Sequence, residues 1–355
     1  PHPEPMTNLS VTIGSGTQQE VHLGWSSVAV PGTLAGLLDL HAGGGHLPLG
    51  EVIAPALRAA REGILLDAVQ VDFIRVIGPI LRLTPASTAL FSPPLEGKPF
   101  RNPAYADMLE RLAAGETADT AFAEPVARDV AAHGGLVTRE DLRTYAVAER
   151  TPVRARRGDA WIWTNPPPAF GGAIVLESLG LVPSTGDPWA EVPEALQRAT
   201  ARHRSGAQVP RGTTHLSVLD GEGRVAALSL SNGSGSGTVA AGVALNNMLG
   251  EADLHPGGFH SLPASTRLSS MMAPTLVASD DGSLLALGTG GSERIRSALT
   301  QVLMRRVDLG EDLAGAIGAP RLHASEDLID IEPGFPAEFV ARMAKGHSPV
   351  REWPS

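Results

Sequence analysis

The chain has 355 residues, 43% of them hydrophobic and 19% charged, with a formal net charge of -10; such a chain buries a substantial core in one large domain or two smaller ones and is not disordered. The negative balance, aromatics at only 4% and the lack of an arginine–lysine stripe exclude a nucleic-acid face, which needs basic groups to displace counterions. With Cys 0, disulfides, thiolate zinc sites and cysteine nucleophiles are excluded, and no run of about 18 apolar residues offers a membrane-spanning helix.

The chain opens at Pro1 without a basic-then-apolar leader, so its start reads as processed or truncated, and periplasmic, secreted and cytoplasmic placements stay open. A strand is expected near Val11–Ile13. Ser27–Pro31 reads as a short strand and turn, followed by a helix from Thr33 to about Ala42 with Thr33 as its cap. Leu49–Glu62 carries Val52, Ile53, Ala56, Leu57 and Ala60 at helical spacing and stops at Gly63. Further helices are expected over 67–83, 104–114 and 119–133. Thr138 with Asp141 is a capping-box variant opening another.

Val153–Trp163 reads as one strand, Pro166-Pro167-Pro168 as a stiff break, and Gly171–Leu179 as a helix. Residues 183–212, rich in Pro, Gly, Ser and Arg, read as a linker ending at Arg211-Gly212. Beyond it the texture changes to hairpins. His215–Leu219 and Val225–Leu230 flank the turn Asp220–Gly223, and Thr275–Ala278 and Leu284–Leu287 flank Asp280–Gly282. Asn232–Gly237 is a loop almost without side-chain bulk. Gly288–Ser292 leads into a helix with Ile295, Leu299, Val302 and Leu303 in its core stripe. The alternation of strands and helices makes the class mixed α and β.

Three constellations carry candidate chemistry. Thr213-Thr214-His215 closes the linker. A threonine hydroxyl needs a base, and an N-terminal threonine supplies one in its own amine, with an ordinary pKa of about 7.7–8.0. Cleavage before Thr213 would expose that amine, and Gly212 leaves its carbonyl open to attack. On these three residues alone, the start of a β-strand accounts for the sequence better. Ser269-Ser270 ahead of Ala273-Pro274 offers paired hydroxyl donors for a carboxylate, or is a plain serine turn. Gly290-Gly291 ahead of a helix offers adjacent N–H donors for an oxyanion, or is a tight strand-to-helix turn. Gly233-x-Gly235-x-Gly237 lacks the spacing of a nucleotide loop. His41, His46, His255 and His260 have no partner at ligand spacing, so surface or turn roles are expected, with no metal and no cofactor.

Taken in order, these segments resemble the γ-glutamyltransferase (γ-glutamyl transpeptidase) family of the N-terminal-nucleophile hydrolase superfamily. Arg211–Val218 is similar to that family's processing site and small-subunit start. Leu245-Asn246-Asn247, Leu268–Thr275, Gly288–Ser292 and Ala319-Pro320-Arg321 follow in the family's order. Ser27–Thr33, Gly134–Leu142 and Pro166–Gly172 are similar to its large-subunit landmarks. The resemblance spans most of residues 26–335. It implies an α+β fold, a four-layer αββα sandwich, and autocatalytic cleavage at Gly212-Thr213. Residues 1–212 would then form a large-subunit-like region and 213–355 a small-subunit-like one, held together as a heterodimer.

Thr213 would be the nucleophile acting on glutathione-type γ-glutamyl amides, with water or an amine as acceptor. Gly290 and Gly291 would be the oxyanion donors, Ser231 the support of the nucleophile, and Asn232, Ser269 and Ser270 donor-binding residues. The run Met248–Asp253 departs from the acidic pattern by which the family holds the donor's ammonium. Glu251 would substitute by position, with Asp253 as the other choice, and Met248 cannot bind a cation by charge. The family's carboxylate-binding arginine is expected upstream of Pro1. Two other readings remain: an acylase-like amidase of the same fold with another acyl donor, and an unprocessed, non-catalytic relative.

Overall fold

Val11, Val21 and Leu23 lie buried on one face of an N-terminal hairpin, β1 (Thr7–Ile13) and β2 (Thr17–Leu23), paired antiparallel with Leu9 opposite Val21. The structure is a computed structural model describing residues 6–13, 17–92, 96–203, 212–255, 257–259, 261–346 and 348–353. The chain forms two compact units, each assembled from two stretches: Pro1–Glu149 with Asn232–Ser261, and Arg150–Ser231 with Leu262–Ser355. Strand β2 was not expected because its first half, Thr17-Gln18-Gln19-Glu20, is polar.

The strand expected at Ser27–Pro31 is instead a 3-10 turn at Trp25–Ser27 followed by extended backbone. The Ser27 hydroxyl donates to the Gly24 carbonyl at 2.7 Å and bends the chain there. Helix α1 (Thr33–Gly44) begins as expected, but Gly32 holds the cap position and no side chain caps the turn. The Tyr145 ring lies against Gly32, closer than a Cβ would allow, which explains the glycine. Helix α2 (Leu49–Glu62) ends at Gly63, whose φ is 91°.

The single helix expected over 67–83 breaks at Ile77 into α3 (Ala68–Val76) and α4 (Gly78–Leu81), because Pro79 has no N–H to continue the ladder. Thr84 and Ser87 make the capping box of α5 (Pro85–Phe91). Asn102 caps α6 (Pro103–Ala113) by accepting from Tyr105 N at 3.1 Å. The stretch 119–133 opens as a π turn, Asp119–Ala123, before α7 (Glu124–Ala132); Pro125 cannot donate to the carbonyl four residues back. Thr138 and Asp141 form the expected reciprocal box of α8 (Arg139–Thr144), at 3.1 and 2.9 Å. Val28, Met108, Leu112, Phe122, Val126 and Val130 build the core of this unit.

In the second unit the expected single strand is a hairpin, β3 (Val153–Arg157) and β4 (Ala160–Thr164). Gly158, with φ 56°, makes the turn. Helix α9 (Phe170–Leu181) packs on this hairpin. Much of the expected linker is helix α10 (Val192–His203), whose buried Val192, Ala195, Leu196 and Ala199 keep helical spacing within a polar composition. Arg211 and the rest of 204–211 lie outside the described residues. Strands β5 (Gly212–Leu219) and β6 (Val225–Gly233) follow as a hairpin.

Back in the first unit, β7 (Val239–Ala240) and β8 (Val243–Ala244) are joined by Ala241 and Gly242, both with positive φ, as a type I′ hairpin requires. The second unit resumes with β9 (Thr275–Ser279), β10 (Leu284–Leu287) and α11 (Arg294–Leu303). Then come α12 (Leu313–Gly318), β11 (Leu322–Ala324), β12 (Ile329–Ile331), α13 (Ala337–Met343) and β13 (Val350–Glu352). Its main sheet is antiparallel in the order β10-β9-β4-β3, with α10 and α11 packed against α9. Ile162, Ile174, Leu196, Ile295, Leu303 and Leu322 are at its centre. A buried ion pair tethers β3: Arg157 meets Asp308 at 2.6 Å and donates to the carbonyls of Leu179 and Val182. No helix among the described residues is long and apolar enough to cross a membrane.

Candidate active site

Thr213 is the second residue of β5, and the hairpin sets its surroundings. Its Oγ1 donates to Ser231 Oγ on β6 at 3.3 Å. Two residues along each strand, on the same face by the period of two, His215 Nδ1 lies 2.9 Å from Ser229 Oγ and its Nε2 3.0 Å from Ser217 Oγ. Burial pushes the His215 imidazole pKa down from its usual value.

The backbone that follows β10 also lies against β5. A Cβ at Gly290 would fall on the Thr213 carbonyl, and one at Gly288 on the His215 ring, both inside the 3.0 Å that real Cβ atoms respect. The bare Cα atoms of these glycines are what allow the approach. Thr213, Ser231 and Gly290, each named from the sequence, are brought together here. His215 carried no role of its own in the Thr213-Thr214-His215 segment and Ser229 was not named, although their spacing of two from Thr213 and Ser231 was the available signal.

Gly291 has φ 110°, and Ser292, a non-glycine residue, has φ 54°, so the turn into α11 is wound against its preference. Arg294 N and Ile295 N return to the carbonyls of Gly291 and Ser292 at 3.0 and 3.1 Å. Arg296, fully buried, donates to the carbonyls of Glu293 at 2.8 Å and of Ala324 on β11 at 3.1 Å, and faces the Glu293 carboxylate at 3.3 Å. Burial, with Arg294 nearby, brings the Arg296 pKa down to about 10. Asp330 braces the same region, accepting from Arg294 and Arg351 at 2.8 and 2.7 Å.

Ser269 and Ser270 stand beside the proline-rich break. Ser270 N donates to Pro168 O at 3.0 Å, and Phe170 N to Ser270 O at 2.8 Å. Gly171 and Gly172 open α9 there because a Cβ at either would strike the Met271 carbonyl or the Thr164 side chain. Two segments nearly 100 residues apart in sequence, both singled out beforehand, are thus one local structure.

Asn232 and Glu251 belong to the first unit, where they brace the glycine loop. Asn232 O accepts from Gly235 N at 3.0 Å and Asn247 N at 3.1 Å. Glu251 is only 3% exposed, and its Oε1 accepts from Ser234 N at 2.7 Å. Asn247, fully buried, accepts from Ser234 N and Gly235 N at 2.8 and 3.1 Å. The side chain of Asp253 and residue His260 lie outside the described part. His41 has the turn role expected of it, with Nε2 2.8 Å from Leu47 O. His255 does not sit at the surface: it is buried with Nε2 3.1 Å from Met248 O. Among the described residues no group of three or more His, Asp or Glu is placed to hold a metal ion.

The family model for gamma-glutamyltranspeptidase matches residues 3–201 and 187–354 of the chain. The glutathione hydrolase proenzyme of Escherichia coli (strain K12) is 26% identical over 426 residues, spanning 97% of this chain and 71% of that protein. The acylase ACY 1 proenzyme of Pseudomonas sp. (strain SE83) is 27% identical over 394 residues, spanning 93% and 70%. In fold, the chain is similar to the cephalosporin acylase from Bacillus halodurans, with a TM-score of 0.77, 23% identity and coverage of 94% of this chain and 73% of that one. The fold is therefore the α+β fold of the N-terminal-nucleophile hydrolases. The chain belongs to the gamma-glutamyltranspeptidase family.

Proposed function

We propose that this chain is an N-terminal-threonine hydrolase or acyltransferase acting on small γ-glutamyl amides of the glutathione type. Cleavage between Gly212 and Thr213 frees the Thr213 amine, which takes the hydroxyl proton as Oγ1 attacks the acyl carbon. The N–H groups of Gly290 and Gly291 meet the oxyanion, and Ser231 holds the attacking oxygen. The tetrahedral species collapses by passing the proton to the departing amine, leaving an ester on Thr213. Water or an acceptor amine then releases the acyl group. Ser269 and Ser270 receive the donor's α-carboxylate.

The observation that carries this reading is the setting of Thr213: its hydroxyl on Ser231 at 3.3 Å and its carbonyl against the side-chain-free Gly290. The sheet supports the heterodimer as well. Strands β3 and β4 precede the cut and β9 and β10 follow it, yet all four share one hydrogen-bonded sheet, so severing the chain leaves the pieces interleaved.

The test is intact mass with N-terminal sequencing after incubation at neutral pH. Two fragments are expected, one beginning Thr213-Thr214-His215, with none from Thr213→Ala. A wild-type chain that stays whole removes the reading.

A second reading, an amidase for another acyl group, is favoured by Glu251. The residue expected to meet the donor's ammonium is buried and holds Ser234 N, and Met248 beside it carries no charge. Faster turnover of a glutaryl anilide than of a γ-glutamyl anilide would select this second reading.

A further inference from the structure

The geometry points to His215 as a positioning residue for Thr213. The inference rests on the proposed role of Thr213 as nucleophile. On the polar face of the β5–β6 hairpin, Thr213 stands opposite Ser231 and His215 opposite Ser229, two neighbouring rungs of one ladder. Gly290 lies against the Thr213 carbonyl and Gly288 against the His215 ring. Each rung is therefore a β5 residue held between a serine of β6 and a bare Cα after β10, through the backbone carbonyl at Thr213 and through the ring at His215.

The second rung is the stiffer of the two. At 3.3 Å the Thr213–Ser231 bond is long for a hydroxyl pair, and it has to loosen when the Thr213 oxygen attacks. His215 is held at both ring nitrogens, at 2.9 and 3.0 Å, and its ring covers the Cα of Gly288. An isolated two-stranded ribbon is marginal in water, and β5 and β6 pair only with each other among the described strands. His215 supplies the missing restraint. It ties β5 to β6 through Ser229 and rests β5 on the Gly288–Gly290 backbone, setting the distance from Thr213 to the N–H groups of Gly290 and Gly291. Its shifted pKa is in keeping with a neutral ring that accepts from one hydroxyl and donates to the other.

The test compares wild type with His215→Ala and His215→Gln, after wild type has been shown to self-cleave and turn over an acyl anilide. Absence of both in wild type speaks against the nucleophile reading and not against His215. In an active wild type, a misplacement of about 1 Å lowers kcat roughly 100-fold. The expected result for His215→Ala is a loss of that order in kcat, with KM within about twofold. His215→Gln, which keeps a donor and an acceptor, recovers much of it. The acid limb of the pH profile stays where it was, because the base is the amine of Thr213 and not the imidazole. A Gly288→Ala change, damaging with the ring present, becomes nearly silent in His215→Ala. Unchanged kcat in a folded His215→Ala protein would overturn the proposal. So would loss of the acid limb, which would make His215 the base.

Discussion

Replacing Gly290 by alanine tests the proposed site most directly. The added methyl would sit on the Thr213 carbonyl oxygen, 3.1 Å from its carbonyl carbon and 3.5 Å from its Cβ. Nothing flexible is in the way; the obstacle is strand backbone held in a hairpin. Either β5 or the turn must retreat by about 1 Å, which is enough to cost roughly 100-fold in a reaction that depends on alignment. Overpacking of this kind also costs about 1–3 kcal/mol of stability. Gly291, the other proposed oxyanion donor, differs: the nearest atom to its added methyl is Arg294 Cβ at 3.6 Å, but its φ is 110°. Gly291→Ala therefore strains the turn without pushing on Thr213. The assay is the rate of self-cleavage at Gly212-Thr213 by intact mass, followed by anilide turnover of the cleaved protein and a thermal melt. Gly290→Ala should cleave and turn over at about 1% of the wild-type rate while still melting cooperatively. Wild-type rates would refute the placement of Gly290 against the nucleophile.

Three further outcomes follow from the structure. His323 is buried beside Ser297, and burial, then the charges of Arg296 and Arg294, push its pKa down to about 3. The unfolded chain takes up a proton near pH 6.5 and the native one does not, so stability is lost as pH falls from about 6.5 toward 3, at no more than about 1.4 kcal/mol per pH unit; urea melts of His323→Asn should show a shallower slope, and an identical slope counts against the assignment. Asp308→Ala strands the Arg157 guanidinium, whose side chain is 10% exposed, and should cost about 3–5 kcal/mol in a denaturant titration; a loss under about 1 kcal/mol would mean the pair is idle. Asn247→Ala removes the acceptor for Ser234 N and Gly235 N. It should cost about 1–3 kcal/mol and speed hydrogen exchange at those two amides, whereas unchanged exchange would show that Glu251 and the Asn232 carbonyl hold the loop without it.

Elements whose period agrees with their local signals were legible. Helix α2, the Thr138 box, both hairpin turns and the stripe of α11 are set by residues a few positions apart. What escaped depends on partners distant in the chain. Val153–Trp163 reads as one strand because strand-forming residues stand on both sides of Gly158-Asp159; the positive φ of Gly158 folds it back, and β4 then pairs with both β3 and β9. Helix α10 was hidden by a composition that resembles a linker; four buried apolar residues outweigh it. The glycines were readable as a class and not one by one. Gly171, Gly288 and Gly290 are required by carbonyls and a ring 70 or more residues away, which no local window contains. Glu251 was chosen by position, and the structure adds the Ser234 N–H that it holds.

The alternation of Gly288 and Gly290 against β5 also limits how this gene can change in length. A strand's faces swap with every residue. One codon inserted between Leu287 and Gly288 would turn the Thr289 side chain toward Thr213, set the new residue against His215, and take a bare Cα away from both rungs. The turns Asp220–Gly223 and Asp280–Gly282 carry no such constraint, being exposed and clear of both rungs. Among homologues, length variation should collect in those two turns and be purged from 288–290, even where the residues themselves differ.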